Sequence, residues 1–148
     1  MLNVTKPCRI IGTGMHVPTA VASDTIEAKH GLPVGWSLEH SGVDTRHWIT
    51  TETVAELGSR AAQNALDDAG VSLTDVDVMI TAGGTSDQHI PSQAALTLAL
   101  MKGGDQARCQ AFHVDTTCLS FITAFRLASD MLQDGEIRRV LVVASEVA

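Results

Sequence analysis

Residues 110–125 read QAFHVDTTCLSFITAF. An alternating stretch runs into two threonines, then Cys118, then a run that is apolar at almost every position. The first part predicts a strand over 109–117, because apolar and polar residues alternate with the period of a pleated chain. The second predicts a helix over 118–134 that Gly135 ends. A strand feeding a helix through a short polar turn is the repeating unit of α/β architecture.

The same alternation of elements recurs along the rest of the chain. VDVMITAGG (76–84) reads as a buried strand running into glycines, and RRVLVVASEV (138–147) as another strand. Between them, SQAALTLALM (92–101) predicts a helix that Ser92 or the preceding turn starts. The clearest helix spans 53–69. Thr53 and Glu56 form a capping box, an apolar stripe runs from Val54 to Ala69, and Gly70 closes the end. CRIIGTGMHVP (8–18) predicts a first strand. Apolar strands alternating with helices predict a mostly parallel sheet with helices on both faces. Segment 19–52, with Gly31, Pro33, Gly35 and both tryptophans, reads as an insertion at the sheet's edge. There is no internal repeat and no low-complexity tract.

Composition narrows the function. Of 148 residues, 45% are hydrophobic, enough for one packed core. The formal charge is −7 with only ten Lys and Arg. No basic run offers a surface to nucleic acid or an anionic membrane. The three cysteines are widely spaced, and no Cys/His cluster suggests a metal site. A reducing, cytoplasmic setting is expected. The opening residues do not read as a signal peptide, and no apolar run has membrane-spanning length. Because VLVVASEVA runs to the last residue with no closing cap, a truncated chain is the expectation.

Cys118 is the candidate nucleophile. In parallel α/β sheets, reactive groups gather beyond the carboxyl ends of strands. Free N–H groups and the dipole of a helix start favour an anion there, which suits a thiolate. The Cys118 N–H could also donate to the oxygen of an attacked thioester. Against this stands the common buried, inert cysteine, the reading given to Cys8 and Cys109 as strand residues that pack. His113 reads as packed or hydrogen-bonded. His16, His30, His47 and His89 carry no dyad or metal spacing. The GTG at 12–14 and GG at 83–84 open no GxGxxG helix and instead predict close approach of loops. Asp75 and Asp77 mark a turn into a strand, and Asp115 faces a loop or a hydrogen-bond partner.

An ordered set of segments then carries a resemblance: IIGTGMHVP (10–18), GW (35–36), SGVDTRHW (41–48), AAQNALDDAGVSLTDVDVMI (61–80), HIPSQAA (89–95), AFHVDTTCLSF (111–121) and VLVVASEV (140–147). Together they resemble the N-terminal half of the β-ketoacyl-acyl carrier protein synthases III, of the thiolase fold. The resemblance implies a ping-pong reaction. Cys118 takes an acyl group from acyl-CoA, and a malonyl thioester then loses CO2 and attacks the acyl-enzyme. It implies no resident cofactor or metal, an acyl carrier protein as partner, and a homodimer of the complete protein.

The resemblance also places a histidine and an asparagine for the enolate in the C-terminal half, beyond these residues. It makes Trp36 the ring that stacks on the CoA adenine, where the residues alone allow an edge-packing indole equally. It sets His40 where the family carries arginine. It makes Ile90 an apolar residue reaching across a dimer interface to the partner's acyl pocket, where the alternative is a turn residue before Pro91. Leu119 and Ser120 depart from the small residues usual after the cysteine, which bears on primer length. Relatives on this fold that transfer acyl groups to oxygen, or join two long chains, supply an alternative outcome for the same cysteine. A non-catalytic assembly partner is the third reading.

Overall fold

A computed structural model describes residues 6–133 and 135–147. They form two compact units. One comprises the N-terminal stretch through His16 together with Thr53 onward, and the other is Val17–Glu52.

The second unit holds β1 (Thr19–Ala22), α1 (Ser23–His30), α2 (Trp36–Ser41) and β2 (Thr45–Trp48). Its two strands pair with each other, antiparallel, with Thr19 opposite Trp48 and Ala22 opposite Thr45. The expected insertion is therefore a unit with its own sheet. Its polar interior is held by specific bonds, such as the Ser23 N–H and hydroxyl donating to the Asp44 and Val43 carbonyls.

The first unit is a three-layer sandwich. Its helices are α3 (Val54–Ala69), α4 (Gln93–Leu100) and α5 (Ser120–Met131). Its strands are β3 (Val78–Ala82), β4 (Gln110–Val114) and β5 (Val140–Ala144). The strands are parallel in the order β4-β3-β5. From β3 to β4 the chain moves one way, and from β4 to β5 it moves back across β3. Right-handed crossovers then put α4 and α5 on opposite faces.

The period of two in β3 serves both layers. Met79 packs with Ala62 and Leu66 of α3, Ala94 of α4, and Leu141 and Val143. Val78, Ile80 and Ala82 pack against Ala124 and Ala128 of α5. All five β3 residues are buried. Burying a side chain of the size of Ile80 contributes about 1.5–3 kcal/mol, so Ile80→Ala is expected to damage this core.

The capping box of α3 forms as expected. Thr53 Oγ1 accepts from the Glu56 N–H at 3.1 Å, the Glu56 carboxylate accepts from the Thr53 N–H at 2.9 Å, and Gly70 closes the helix with a φ of 64°. A second anchor was not legible in sequence. The Asp87 carboxylate accepts from the Val54 and Ala55 N–H groups at 2.9 and 2.8 Å. These are two of the donors a helix start leaves unpaired. Asp77 similarly accepts from the Arg138 and Arg139 N–H groups at 2.8 and 3.0 Å, tying the start of β3 to that of β5.

Two expectations need correction. The predicted strand at 8–18 forms no ladder. Residues 6–14 instead face β5 across an open groove of about 1080 Å3, which Phe121 and Phe125 also line. The stretch is pinned by side chains, not by a sheet. The Lys6 N–H donates to Gln133 at 2.7 Å, the Thr13 N–H to Asp68 at 2.8 Å, and the Asn64 amide to the Met15 carbonyl at 2.9 Å. Gly14 lies directly on α3, where a Cβ would come within 2.2 Å of the Ala65 nitrogen. With no neighbouring strand to pack it, Cys8 is exposed. Second, the helix expected over 118–134 begins at Ser120 and ends at Met131. Cys118 thus precedes the helix, and the expected last position, 134, lies outside the described residues. No helix among the described residues is long and apolar enough to cross a membrane.

Candidate active site

The carboxyl ends of β3, β4 and β5 converge at one end of the sheet. At the end of β4 the chain turns through Asp115, Thr116, Thr117 and Cys118 before α5. The turn is dense with local bonds. The Asp115 carboxylate accepts from the Thr117 N–H at 2.8 Å. Ser120 Oγ accepts from the Thr116 N–H at 2.9 Å and donates to the Thr117 carbonyl at 2.7 Å. The Thr116 and Thr123 hydroxyls meet at 2.9 Å. Thr117 adopts a φ of 52°, the one positive φ at a non-glycine position among the described residues. For a β-branched residue this costs on the order of 1 kcal/mol or more, and such strain persists only where the surroundings over-determine it. Its consequence is to present Cys118, exposed and free of disulfide, at the carboxyl end of the sheet.

The sequence marks Ser120 as a departure bearing on primer length. The structure shows it 3% exposed and bonded within the turn, so it also holds the cysteine's backbone. A serine just before an apolar helical run was the available signal.

Neighbouring strand ends complete the surroundings. His113 Nε2 lies 3.1 Å from the Gly83 carbonyl, and Nδ1 lies 3.0 Å from the Thr81 hydroxyl. The carbonyl can only accept, so Nε2 carries a proton. The ring fastens the end of β4 to that of β3, as a hydrogen-bonded histidine. The Gly84 N–H donates to the Glu146 carboxylate beyond β5. At Gly83, a Cβ would meet the Ser145 carbonyl at 3.0 Å, which is the close approach expected of the GG pair.

Ile90 lies on the loop that leaves the carboxyl end of β3, so it shares a sheet end with Cys118. It is 89% exposed. The loop's base is fixed by Asp87, whose N–H donates to Gln93 Oε1 at 2.9 Å and whose carboxylate accepts from Gln93 Nε2 at 3.2 Å. Cys109 sits just before β4, partly buried against the α3–α4 side of the core, and burial pushes its thiol pKa up.

Trp36 and His40 lie together in the second unit. Their rings stack with centroids 4.4 Å apart and planes 16° from parallel. His40 Nδ1 is 2.9 Å from the Trp36 carbonyl. At that spacing no third ring fits between them, so a ligand base would stack on the outer face of Trp36 or part the two rings. Beneath them, Glu27 accepts from the Ser37 N–H at 2.7 Å and the Gly35 N–H at 2.8 Å. The Ser37 N–H is the main reason its carboxyl is held below the usual range. Burial opposes this, and the Gly35 N–H and the Ser37 hydroxyl add to the lowering.

The α/β/α sandwich that carries this turn is shared with solved condensing enzymes of the thiolase-like fold. The 3-oxoacyl-[acyl-carrier-protein] synthase III of Aquifex aeolicus superposes with a TM-score of 0.82 at 28% identity, over 92% of this chain and 44% of that one. A Cys-to-Ser variant of OleA from Xanthomonas campestris, solved with lauric acid and lauroyl-CoA, superposes with a TM-score of 0.77 at 25% identity, over 94% and 43%. A β-ketoacyl-[acyl-carrier-protein] synthase III of Vesicomyosocius okutanii is 33% identical over 97% of this chain and 45% of its own length. Residues 26–148 match the N-terminal domain of the chalcone and stilbene synthases, and the chain belongs to that family. It spans less than half the length of the relatives it matches.

Proposed function

We propose that this chain carries the nucleophile of an acyl-condensing enzyme that loads an acyl group from acyl-CoA on Cys118. The observation that carries the reading is the turn itself: Thr117 held at positive φ beside an exposed Cys118 at the carboxyl end of β4. The Cys118 thiolate attacks the thioester carbonyl, a new C–S bond forms, and CoA leaves as its thiolate. A malonyl thioester then breaks its bond to the carboxylate and releases CO2. The electron pair left on carbon attacks the acyl-enzyme and displaces the Cys118 sulfur.

The similarity to synthases III supports this outcome, with acyl carrier protein as the second substrate's carrier. In the same reading the complete protein is a cytoplasmic homodimer in which Ile90 reaches the partner's acyl pocket, and Trp36 receives the CoA adenine with His40 beside it. The likeness to OleA, together with Leu119 and Ser120 after the cysteine, supports a second outcome in which two long acyl chains are joined by the same thiol.

The test is mass spectrometry after mixing with acyl-CoA, with the C-terminal part of the Aquifex aeolicus enzyme supplied as a separate chain. Both outcomes require an acyl adduct on Cys118. A malonyl-dependent product then separates the first from the second. A protein that never acquires the adduct is an assembly partner instead.

A further inference from the structure

We propose that Glu27 is a positioning residue that sets the direction of the Trp36 ring. The inference rests on Trp36 being the CoA-facing ring. Glu27 is carried by α1 and is 1% exposed, in a unit whose other buried residues are Ser23 and Ser37. Burying a carboxylate is costly unless its oxygens are fully used. Among the described residues no cation forms an ion pair with it. Instead, Oε2 accepts from the Gly35 N–H and Oε1 from the Ser37 N–H, one on each side of Trp36.

Two peptide planes flanking one residue are thereby fixed to one rigid group. Gly35 adopts a φ of 86°, which glycine alone takes without strain. The Trp36 N–H is spent on the Pro33 carbonyl at 3.1 Å. The backbone around Trp36 is thus tied at three successive N–H groups, which restricts the direction of its Cα–Cβ bond. His40, one turn along α2, then meets the indole face to face. The ring remains 39% exposed, so the orientation is maintained for a face that solvent still reaches.

The experiment uses the chain with Trp48→Phe, so that emission reports Trp36 alone, and CoA as the titrant. Glu27→Gln keeps the shape but turns a donor toward one N–H. It is expected to shift the Trp36 emission and weaken CoA binding about tenfold. Combined with Trp36→Ala, it is expected to weaken binding no further than Trp36→Ala alone, because Glu27 acts through that ring. Losses that add, or an unchanged Trp36 emission in Glu27→Gln, overturn the proposal. Trp36→Ala binding CoA like the parent refutes the CoA assignment of Trp36, and a parent that binds none leaves emission as the readout. The emission shift then decides the role of Glu27 by itself. Glu27→Asp keeps the charge one methylene short and should give an intermediate shift. If circular dichroism shows Glu27→Gln unfolded, that variant decides, and no shift in it overturns the proposal.

Discussion

The Thr117 N–H donates to the Asp115 carboxylate at 2.8 Å, and this bond closes the turn that holds Thr117 at positive φ beside Cys118. Asp115→Ala removes the acceptor and lets Thr117 relax toward ordinary backbone angles. Acyl transfer to Cys118 should slow at least about tenfold, since a misplaced reacting group is expensive. Urea unfolding should change by about 1 kcal/mol. Adduct formation timed by mass spectrometry checks the first, and an unchanged rate would show that the turn does not position the thiol.

The start of α3 has two separable anchors. Thr53→Ala removes the cap acceptor and should cost about 1 kcal/mol. Asp87→Ala removes the acceptor for the Val54 and Ala55 N–H groups and should cost about 2 kcal/mol, because charge-assisted bonds are stronger. It should also raise hydrogen exchange in the loop from Gly83 to Ser92, which Thr53→Ala should leave unchanged. Equal effects of the two variants on that loop would contradict the assignment.

Acid should loosen the fold through named carboxyl groups. The Thr50 N–H, then the Glu52 and Thr51 N–H groups, lower the Glu52 pKa from an ordinary 4.5 to about 2. The Arg138 and then the Arg139 N–H lower that of Asp77. A carboxyl depressed in the folded state stabilises above its unfolded pKa and loses that contribution as pH falls through its folded value. For Glu52 the window runs from about 4.5 down to about 2. Thermal midpoints of Glu52→Gln and Asp77→Asn should lie below the parent's at pH 6 and approach it near pH 2. A gap that widens on acidification would reverse the sign and refute the account.

Much apolar surface is uncovered. Phe121, Ile122, Phe125 and Leu127 of α5 are exposed, and β5 pairs only with β3 among the described residues. Such a strand edge beside apolar side chains favours association. Light scattering of the purified chain should show self-association, and Phe121→Ser with Phe125→Ser should reduce it. A monodisperse monomer at micromolar concentration would show that this surface does not drive contacts.

Legibility in the sequence followed the range of the forces. Local signals were read correctly: the Thr53–Glu56 box, the Gly70 terminator, and the buried run of β3, whose strand type needs only its own residues. The placement of Cys118 at a strand end was also legible, because a strand–turn–helix is local. The unpaired state of residues 8–18 was not, since IIGTG has the composition of a strand and pairing depends on what lies beside it. Asp87 and Glu27 were missed for a related reason. Each bonds to backbone N–H groups several or many residues away, and nothing in a single carboxylate marks which amides it will find. The turn's dependence on Ser120 is only weakly legible, because a serine before a helix can bond the backbone or face a ligand.

The central claim rests on which thiol takes the acyl group. General alkylation cannot answer it, because Cys8 and Cys118 are both exposed, while partly buried Cys109, its thiol pKa raised by burial, should react last. Acyl-CoA discriminates. The measurement is peptide mapping after acyl-CoA treatment of the protein completed by a C-terminal half, in the parent and in Cys8→Ser, Cys109→Ser and Cys118→Ser. The account predicts one acyl group, on Cys118, in all but the last variant. An adduct that persists in Cys118→Ser, or that maps to Cys8, would contradict it.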